Sequence, residues 1–217
     1  SLNSGTATVS ISITAVNDAP SANAQSVTVT EDTAKSITLS GSDPEGSSLS
    51  YTIVSAPSKG TISGGSGAGR TYTPSSNATG SDSFTFRVSD GSLNSGTATV
   101  SISITAVNDA PSANAQSVST AEDTARSITL TGSDVEGSGL TYHVVSSPSN
   151  GTISGGTGAS RTYSPNGNFN GSDSFTFKVK DGSLFSSVAT VSITVTAVND
   201  APSANAQSVS TAEDTAR

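Results

Sequence analysis

Hydrophobic residues in this chain alternate with polar ones over short stretches that are separated by Gly, Ser, Asn and Pro. Between residues 97 and 106, for example, Val100, Ile102 and Ile104 are apolar, and Ser or Thr stands between them. A period of two is that of a β-strand with one buried face and one face in water. The pattern therefore predicts short, half-buried strands, and no stretch shows a helical period.

Seven such strands follow one another within about ninety residues, with turn residues between them. The predicted strands cover residues 25–30, 36–40, 49–54, 61–62, 70–73, 83–88 and 97–106. In the sixth, Phe84, Phe86 and Val88 share the face that points to the core. Seven short strands without helices are typical of a Greek-key β-sandwich. We therefore predict an all-β chain of tandem seven-stranded Greek-key β-sandwiches.

A repeat of 91 residues organises the whole sequence. The run Ala-Val-Asn-Asp-Ala-Pro-Ser-Ala-Asn-Ala-Gln-Ser-Val begins at Ala15, recurs at Ala106 and begins again at Ala197. Fixed periods of this kind indicate a tandem array. We predict complete copies at residues 19–109 and 110–200. The rest divides into the last strand of a preceding repeat, residues 1–18, and the first strand of a following repeat, residues 201–217.

Composition excludes several classes of function. A formal net charge of −8 argues against nucleic acid or an anionic membrane surface as a partner. The chain has no cysteine, so disulfides and thiolate metal sites are excluded. No apolar run is long enough to insert into a membrane. We find no pairing of acid, base and nucleophile that predicts an enzyme.

The acidic residues occupy the same few positions in each copy. All seventeen fall on seven positions of the repeat, although other positions differ between copies, and we expect none of them to lie inside a strand. Oxygen ligands that recur at fixed places are what a hard cation requires. Turn chemistry is the alternative, because Asp stabilises tight turns without a metal. It does not explain Glu31 and Glu45, and we favour cation sites repeated along the array.

Strand directions predict where these acids gather. One end of the first sandwich holds Glu31, Asp32, Asp82 and the linker, and the facing end of the second holds Asp134, Glu136 and Asp181. We expect these two sets to meet at the junction. With the equivalents in the other copies, the candidate metal ligands are Asn17, Asp18, Glu31, Asp32, Asp43, Glu45, Asp82, Asp90, Asn108, Asp109, Glu122, Asp123, Asp134, Glu136, Asp173, Asp181, Asn199 and Asp200.

Four motifs in fixed order resemble a known family. They are the Ala-Val-Asn-Asp-Ala-Pro linker, the Glu-Asp-Thr turn, the Gly-Ser-Asp-x-Glu-Gly loop before a Leu-x-Tyr strand, and Asp-Gly after Phe-Thr-Phe. Together they resemble the bacterial cadherin-like, Ig-like tandem repeats of giant surface or secreted adhesins. The resemblance implies Ca²⁺ bound between domains by residues such as Asp43, Glu45, Asp90 and the linker Asn108-Asp109. Here Glu45 replaces a second Asp, and the usual Asp-Arg-Glu motif is reduced to Asp82.

These features lead us to expect a calcium-rigidified extracellular spacer, or stalk, of a bacterial adhesin at the cell surface, with a structural role in cell adhesion and biofilms. Its partners would be the neighbouring repeats of the same chain. One alternative is a glycan-binding or protein-binding module, against which stand the absence of tryptophan and of an exposed aromatic cluster. Another is a filament subunit joined head to tail by homo-assembly through its terminal strands.

Two other features have simpler interpretations. His143 has no second histidine and no cysteine with which to form a zinc site, and we expect it on an outward strand position. The Gly-rich run from Gly64 to Gly69 leads into a strand rather than a helix and lacks the Lys-Ser/Thr ending of a phosphate loop. We therefore predict a flexible hairpin there.

Overall fold

The computed structural model of the chain describes residues 1–213. Residues 214–217, the end of the predicted first strand of a following repeat, lie outside the described residues. The chain divides into two compact units between Val107 and Asn108. Each unit is built of β-strands.

The first unit is a sandwich of a four-stranded and a three-stranded sheet. Its strands are β1 (Ser21–Ala22), β2 (Gln25–Thr30), β3 (Lys35–Thr38), β4 (Gly41–Ser42), β5 (Ser50–Ser55), β6 (Gly60–Ser63), β7 (Gly69–Pro74), β8 (Gly80–Ser89) and β9 (Ala98–Thr105). The sheets have the orders β2-β9-β8-β5 and β3-β7-β6, and β1 pairs with β4 as a short ribbon. Strand β2 runs parallel to β9, whereas the other pairs are antiparallel. The predicted all-β sandwich is confirmed.

The second unit repeats this architecture. Its strands are β10 (Ser112–Ala113), β11 (Gln116–Ala121), β12 (Arg126–Thr129), β13 (Gly132–Ser133), β14 (Thr141–Ser146), β15 (Gly151–Ser154), β16 (Ser160–Pro165), β17 (Gly171–Lys180) and β18 (Ala189–Thr196). The sheets have the orders β11-β18-β17-β14 and β12-β16-β15, and β11 is parallel to β18. Parallel pairing places the ends of the first and last long strands at the same end of each sandwich.

The core of each unit lies between its two sheets and follows the period-two pattern. Along β9, residues alternate strictly between buried and exposed, and along β8 Phe84, Phe86 and Val88 are fully buried. Tyr72 of the opposite sheet and Leu39, which directly follows β3, pack into the same cluster. Removal of this apolar surface from water is the main driving force for folding such a small sandwich.

One expectation about the acids was wrong. Strand β8 begins at Gly80 rather than at Ser83, so Asp82 lies inside it and is paired with Ile102 of β9. Asp173 occupies the same place in β17. The strand extends this far because its ladder with β9 continues to the pair Gly80–Ile104. The alternation then turns the Asp82 side chain to the face of Phe84, and the carboxylate is buried.

The two ends of the chain form no strand in the described residues. No strand precedes Ser21 or follows Thr196. The apolar row of Val9, Ile11 and Ile13 is at least 81% exposed. Within residues 1–213, the structure also has no helix long and apolar enough to cross a membrane.

Candidate metal centre

In the first unit, the linker residues Asn17 and Asp18 are held against two acidic loops. The Asn17 side-chain Nδ2 donates to Oδ2 of Asp90 at 2.8 Å. The backbone N–H of Asp18 donates to Oε2 of Glu45, with an N–O distance of 3.2 Å. The linker therefore ties together carboxylates from the β4–β5 loop and the β8–β9 loop. We call Asn17, Asp18, Asp43, Glu45 and Asp90 the upper acidic cluster of the first unit.

One carboxylate oxygen of Asp43 has no hydrogen-bond donor among the described residues. Its Oδ1 accepts from the backbone N–H of Glu45 at 3.1 Å and of Ser47 at 2.9 Å, which fixes the loop. Its Oδ2 is buried, and no described residue donates to it. A buried polar atom without a partner is costly and rare in native structures. An anionic oxygen in this state has the chemistry of a ligand for a hard cation.

Asp90 is held in the ionised form. Its Oδ1 accepts from the backbone N–H groups of Ser92 at 2.6 Å and Leu93 at 2.7 Å. The bond from Leu93, followed by those from Asn17 and Ser92, lowers the pKa of Asp90 below its ordinary value. Hydrogen bonds to the charged form favour it. Metal ligands must be deprotonated, so this environment prepares the carboxylate for a cation.

The second unit contains the same arrangement, its upper acidic cluster being Asn108, Asp109, Asp134, Glu136 and Asp181. Asn108 Nδ2 donates to Asp181 Oδ2 at 2.7 Å, and the Asp109 N–H donates to Glu136 Oε2 at 3.2 Å. Carboxylate oxygens of Asp109 and Glu136 lie within 4.8 Å of each other. Asp134 Oδ2 is again buried without a donor among the described residues. The bond from Asn108, then that from Leu184, lowers the pKa of Asp181.

At the opposite end of the first sandwich, Glu31 binds the backbone of the segment that follows β9. Glu31 is 3% exposed, and its Oε1 accepts from the backbone N–H of Val107 at 2.6 Å. Its Oε2 is buried, and no donor reaches it within the described chain. In the second unit, Glu122 is likewise buried and accepts from the N–H of Val198. Glu31 thus adds a further open anionic oxygen, beside the start of the linker.

Asp32 and Asp123 lie in the adjacent turns and have the geometry of turn residues. Their φ angles are 54° and 58°, in the left-handed region that Asp tolerates better than most residues. Asp32 Oδ1 accepts from the N–H of Asn77 at 3.1 Å, and Asp123 makes the same bond to Asn168. These contacts tie the turn to the β7–β8 loop.

Asp82 differs from the other acids because protein donors engage both its oxygens. Oδ1 accepts from Ser58 N–H, Ser58 Oγ and Ser83 N–H, and Oδ2 accepts from Lys59 N–H and the Tyr72 hydroxyl, at 2.8 to 3.1 Å. Burial alone would raise the pKa of Asp82, but these bonds outweigh it and lower the pKa to about 2. Burial and the contact with Asp82 raise the pKa of Tyr72. A cation could reach this carboxylate only by displacing its partners.

Asp173 has the same environment in the second unit. It accepts hydrogen bonds from the backbone of Ser149, Asn150 and Ser174 and from the Tyr163 hydroxyl. The last two candidate ligands, Asn199 and Asp200, follow β18 and are exposed, and Asn199 Nδ2 lies 3.5 Å from the Asp200 carbonyl oxygen. The structure therefore separates the predicted ligands into upper clusters, buried glutamates at the opposite ends, turn aspartates, buried strand acids and exposed linker residues.

A family model described as a bacterial Ig domain matches residues 17–103 and 108–194, which together are most of the sequence. The chain therefore belongs to the bacterial Ig domain family, in two tandem copies. The match begins at Asn17 in the first copy and at Asn108 in the second. Both matched segments therefore include the linker asparagine, which donates to Asp90 in the first unit and to Asp181 in the second.

Solved structures with the same fold include cadherin ectodomains. The chain resembles human protocadherin-24 EC1-2 with a TM-score of 0.56 and 17% identity, covering 85% of this chain and 100% of that chain. A second crystal form gives a TM-score of 0.60 at 14% identity, covering 84% and 100%. Identities this low establish the tandem, cadherin-like fold alone.

A similarity to the endo-fucoidan hydrolase MfFcnA4 from glycoside hydrolase family 107 has 24% identity and a TM-score of 0.39. It covers 83% of this chain, which spans only 29% of the length of that enzyme. No curated protein matches the sequence.

Proposed function

We propose that the two domains are part of a calcium-stiffened, non-catalytic spacer of an extracellular bacterial adhesin. One observation carries the proposal. Each unit builds the same upper acidic cluster, in which linker Asn and Asp residues bond two loop carboxylates and the buried Oδ2 of Asp43 or Asp134 has no donor among the described residues. Two copies that differ at many positions keep this arrangement, including its open oxygen.

The residues of the upper cluster fit Ca²⁺ by their chemistry. Calcium takes six to eight oxygen ligands, from carboxylates, amides and backbone carbonyls. In the second unit the ligands would come from Asn108, Asp109, Asp134, Glu136 and Asp181. Four of these are acids, and bound Ca²⁺ would supply the positive charge that offsets their mutual repulsion. In the first unit Asp43, Glu45, Asp90 and the preceding linker would serve in the same way.

The linker gives this site a mechanical consequence. Val107 is bonded to Glu31 of the first unit, and the next two residues are bonded to Asp181 and Glu136 of the second. A cation that fixes Asn108 and Asp109 on the second unit therefore leaves the linker few free backbone torsions. We propose that this restriction converts a flexible string of domains into a stiff stalk. Without calcium, repelling carboxylates would loosen the linker from the domain.

Small-angle scattering in calcium and in chelator tests this function. We expect the parent chain to have a larger maximum dimension and a narrower distance distribution in calcium. The variant Asp134→Asn/Glu136→Gln should lose this response while its circular dichroism spectrum is unchanged.

The matched control is Asp43→Asn/Glu45→Gln, which changes the same residue types and the same charge in the loop of the first unit. It should keep the response, because the linker between the two domains is bonded to the loop of the second unit. Equal dimensions in calcium and chelator for the parent chain would refute the proposal. An equal response in the two variants would show that the stiffness does not depend on the second cluster.

A further inference from the structure

A basic and aromatic patch lies on the outer face of the four-stranded sheet of the second unit. Phe185 is its centre: Lys178 Nζ lies 3.7 Å and Lys180 Nζ 5.1 Å from the ring centroid. The His143 ring meets Phe185 edge-on, with 5.5 Å between centroids. We call these four residues the Phe185 patch.

Strand register explains why the four side chains meet. Along β17, Lys178 and Lys180 alternate with the buried residues Phe177 and Val179, so both lysines point outward. Lys178 is directly opposite His143 of β14 in the antiparallel ladder. An isolated bridge pairs Lys180 with Phe185. Three residues of the patch therefore stand on regular strands, and the isolated bridge holds Phe185, in the β17–β18 connection, beside them.

The fold does not require this patch. In the first unit the corresponding residues are Thr52, Arg87, Ser89 and Asn94, and the bridge Ser89–Asn94 has the same backbone pairing as Lys180–Phe185. Three of the four positions thus lose their charge or ring with no change in architecture. Phe185 remains 43% exposed although its ring contacts two lysines and a histidine. The exposed part of this side chain is therefore accessible to a ligand.

The charge of the patch is open to a ligand. The chain has a net charge of −8, yet here two ammonium groups surround one ring, and no carboxylate in residues 1–213 forms an ion pair with either of them. Asp181, the acid next to Lys180 in the sequence, already accepts hydrogen bonds from Asn108, Ser183 and Leu184. Local positive charge on an acidic protein favours a ligand with closely spaced negative groups.

We propose that the Phe185 patch binds an anionic polysaccharide through its carboxylate or sulfate groups. The lysines would pair with the anionic groups, and the exposed ring would pack against the apolar face of a sugar ring. The neighbouring strand fits a sugar chain as well, because Thr190 and Ser192 are exposed hydroxyl residues that alternate with the buried residues of β18. This inference is independent of calcium binding.

A second copy of this chain is a poorer occupant. A stable protein interface buries about 800 Å² on each partner around a cluster of apolar anchors, whereas this patch exposes a single aromatic ring. Two chains that each carry a charge of −8 also repel each other. A sugar polymer needs only a few contacts per chain, because it repeats its anionic groups and several chains can bind one polymer through a single patch each.

Binding of the full chain to immobilised dextran sulfate, polygalacturonate and neutral dextran tests the proposal. We expect the parent to bind the two anionic polymers and not dextran. The variant His143→Thr/Lys180→Ser/Phe185→Asn restores residues of the first unit and should weaken binding at least tenfold. Phe185→Asn alone leaves the charge unchanged and should still weaken binding severalfold, which separates sugar recognition from ion exchange.

Two controls use the repeat itself. Lys59→Asn removes one positive charge from the first unit, introduces the residue of the second, and should leave binding unchanged. The reciprocal variant Thr52→His/Ser89→Lys/Asn94→Phe should add a second patch and strengthen binding. No binding of the anionic polymers, or equal binding by Phe185→Asn and the parent, would overturn the proposal. Self-association in sedimentation that disappears in the triple variant would also overturn it, in favour of a second copy.

Discussion

The buried carboxylate of Asp82 gives the sharpest prediction about stability. Asp82→Asn replaces one acceptor oxygen by a donor, in a place where both oxygens receive protein hydrogen bonds. With the amide nitrogen in the position of Oδ2, the Lys59 N–H has no acceptor and faces another donor, and the Tyr72 hydroxyl must turn. Hydrogen bonds to charged groups contribute about 1.5–3 kcal/mol each, so we expect the first unit to lose about 3–4 kcal/mol.

The pH dependence provides a second estimate from the same residue. The pKa of Asp82 is lowered to about 2 in the folded state, against about 3.9 in an unfolded chain. The stabilisation is therefore complete above pH 4 and is lost as the pH falls through 2. Each pKa unit corresponds to about 1.4 kcal/mol, which gives roughly 2–3 kcal/mol for the charge alone. The effect of Asp82→Asn should therefore shrink on acidification, because the parent carboxyl is then neutral too.

Urea unfolding followed by the amide NMR signals of each unit is the assay. Asp173→Asn is the matched variant and should destabilise only the second unit by a similar amount. Tyr72→Phe removes one donor to this carboxylate and keeps the charge, so it should cost about 1.5–3 kcal/mol. A loss below 1 kcal/mol for Asp82→Asn at pH 7, or an equal loss at pH 2 and pH 7, would refute the account of this carboxylate.

Two further predictions concern metal and assembly. Calcium should raise the melting temperature of the chain more than magnesium does, because Mg²⁺ demands smaller octahedral sites and dehydrates reluctantly. Scanning calorimetry measures this difference. Equal melting curves in calcium and in chelator would count against a metal site. Deleting residues 1–14 removes the exposed row of Val9, Ile11 and Ile13 but keeps the contact between Asn17 and Asp90. We expect both the intact and the shortened chain to be monomers in sedimentation. Assembly of the intact chain alone would favour the filament alternative.

The strands could be predicted from the sequence because their signal is local. Alternation of apolar and polar residues located β2 at its observed bounds and β9 within one residue at each end. The two-residue strands β1 and β4 are too short to show any period. The parallel pairing of β2 with β9 joins residues about 75 positions apart, and no local pattern encodes it.

The acids show where sequence reasoning about the site ends. The order of the strands was enough to predict that Asp43, Glu45 and Asp90 lie at one end of the sandwich, because strand direction follows from strand order. It was not enough to distinguish Asp82 from the candidate metal ligands. The donors to Asp82 come from a turn 23 and 24 residues earlier and from Tyr72 in the opposite sheet. One signal was present, since Asp82 stands in phase with Phe84 and Phe86 on the buried face.

The Phe185 patch was hidden for a similar reason. Its residues come from two strands and a hairpin, and only their register brings them together. Comparison of the copies does reveal it, because His143, Lys180 and Phe185 replace Thr52, Ser89 and Asn94 together. These three positions share one face, and the fold is the same in both copies.

Calorimetric titration of the chain with calcium is the decisive experiment for calcium binding by the upper acidic clusters. We predict saturable binding, with a dissociation constant of roughly 0.1–1 mM as in extracellular calcium modules. Asp134→Asn/Asp181→Asn should remove the binding that depends on the second cluster, whereas Asp82→Asn should leave the number of bound ions unchanged wherever the protein stays folded. Absence of saturable binding at millimolar calcium, or the same number of ions bound by the parent and by Asp134→Asn/Asp181→Asn, would contradict the account.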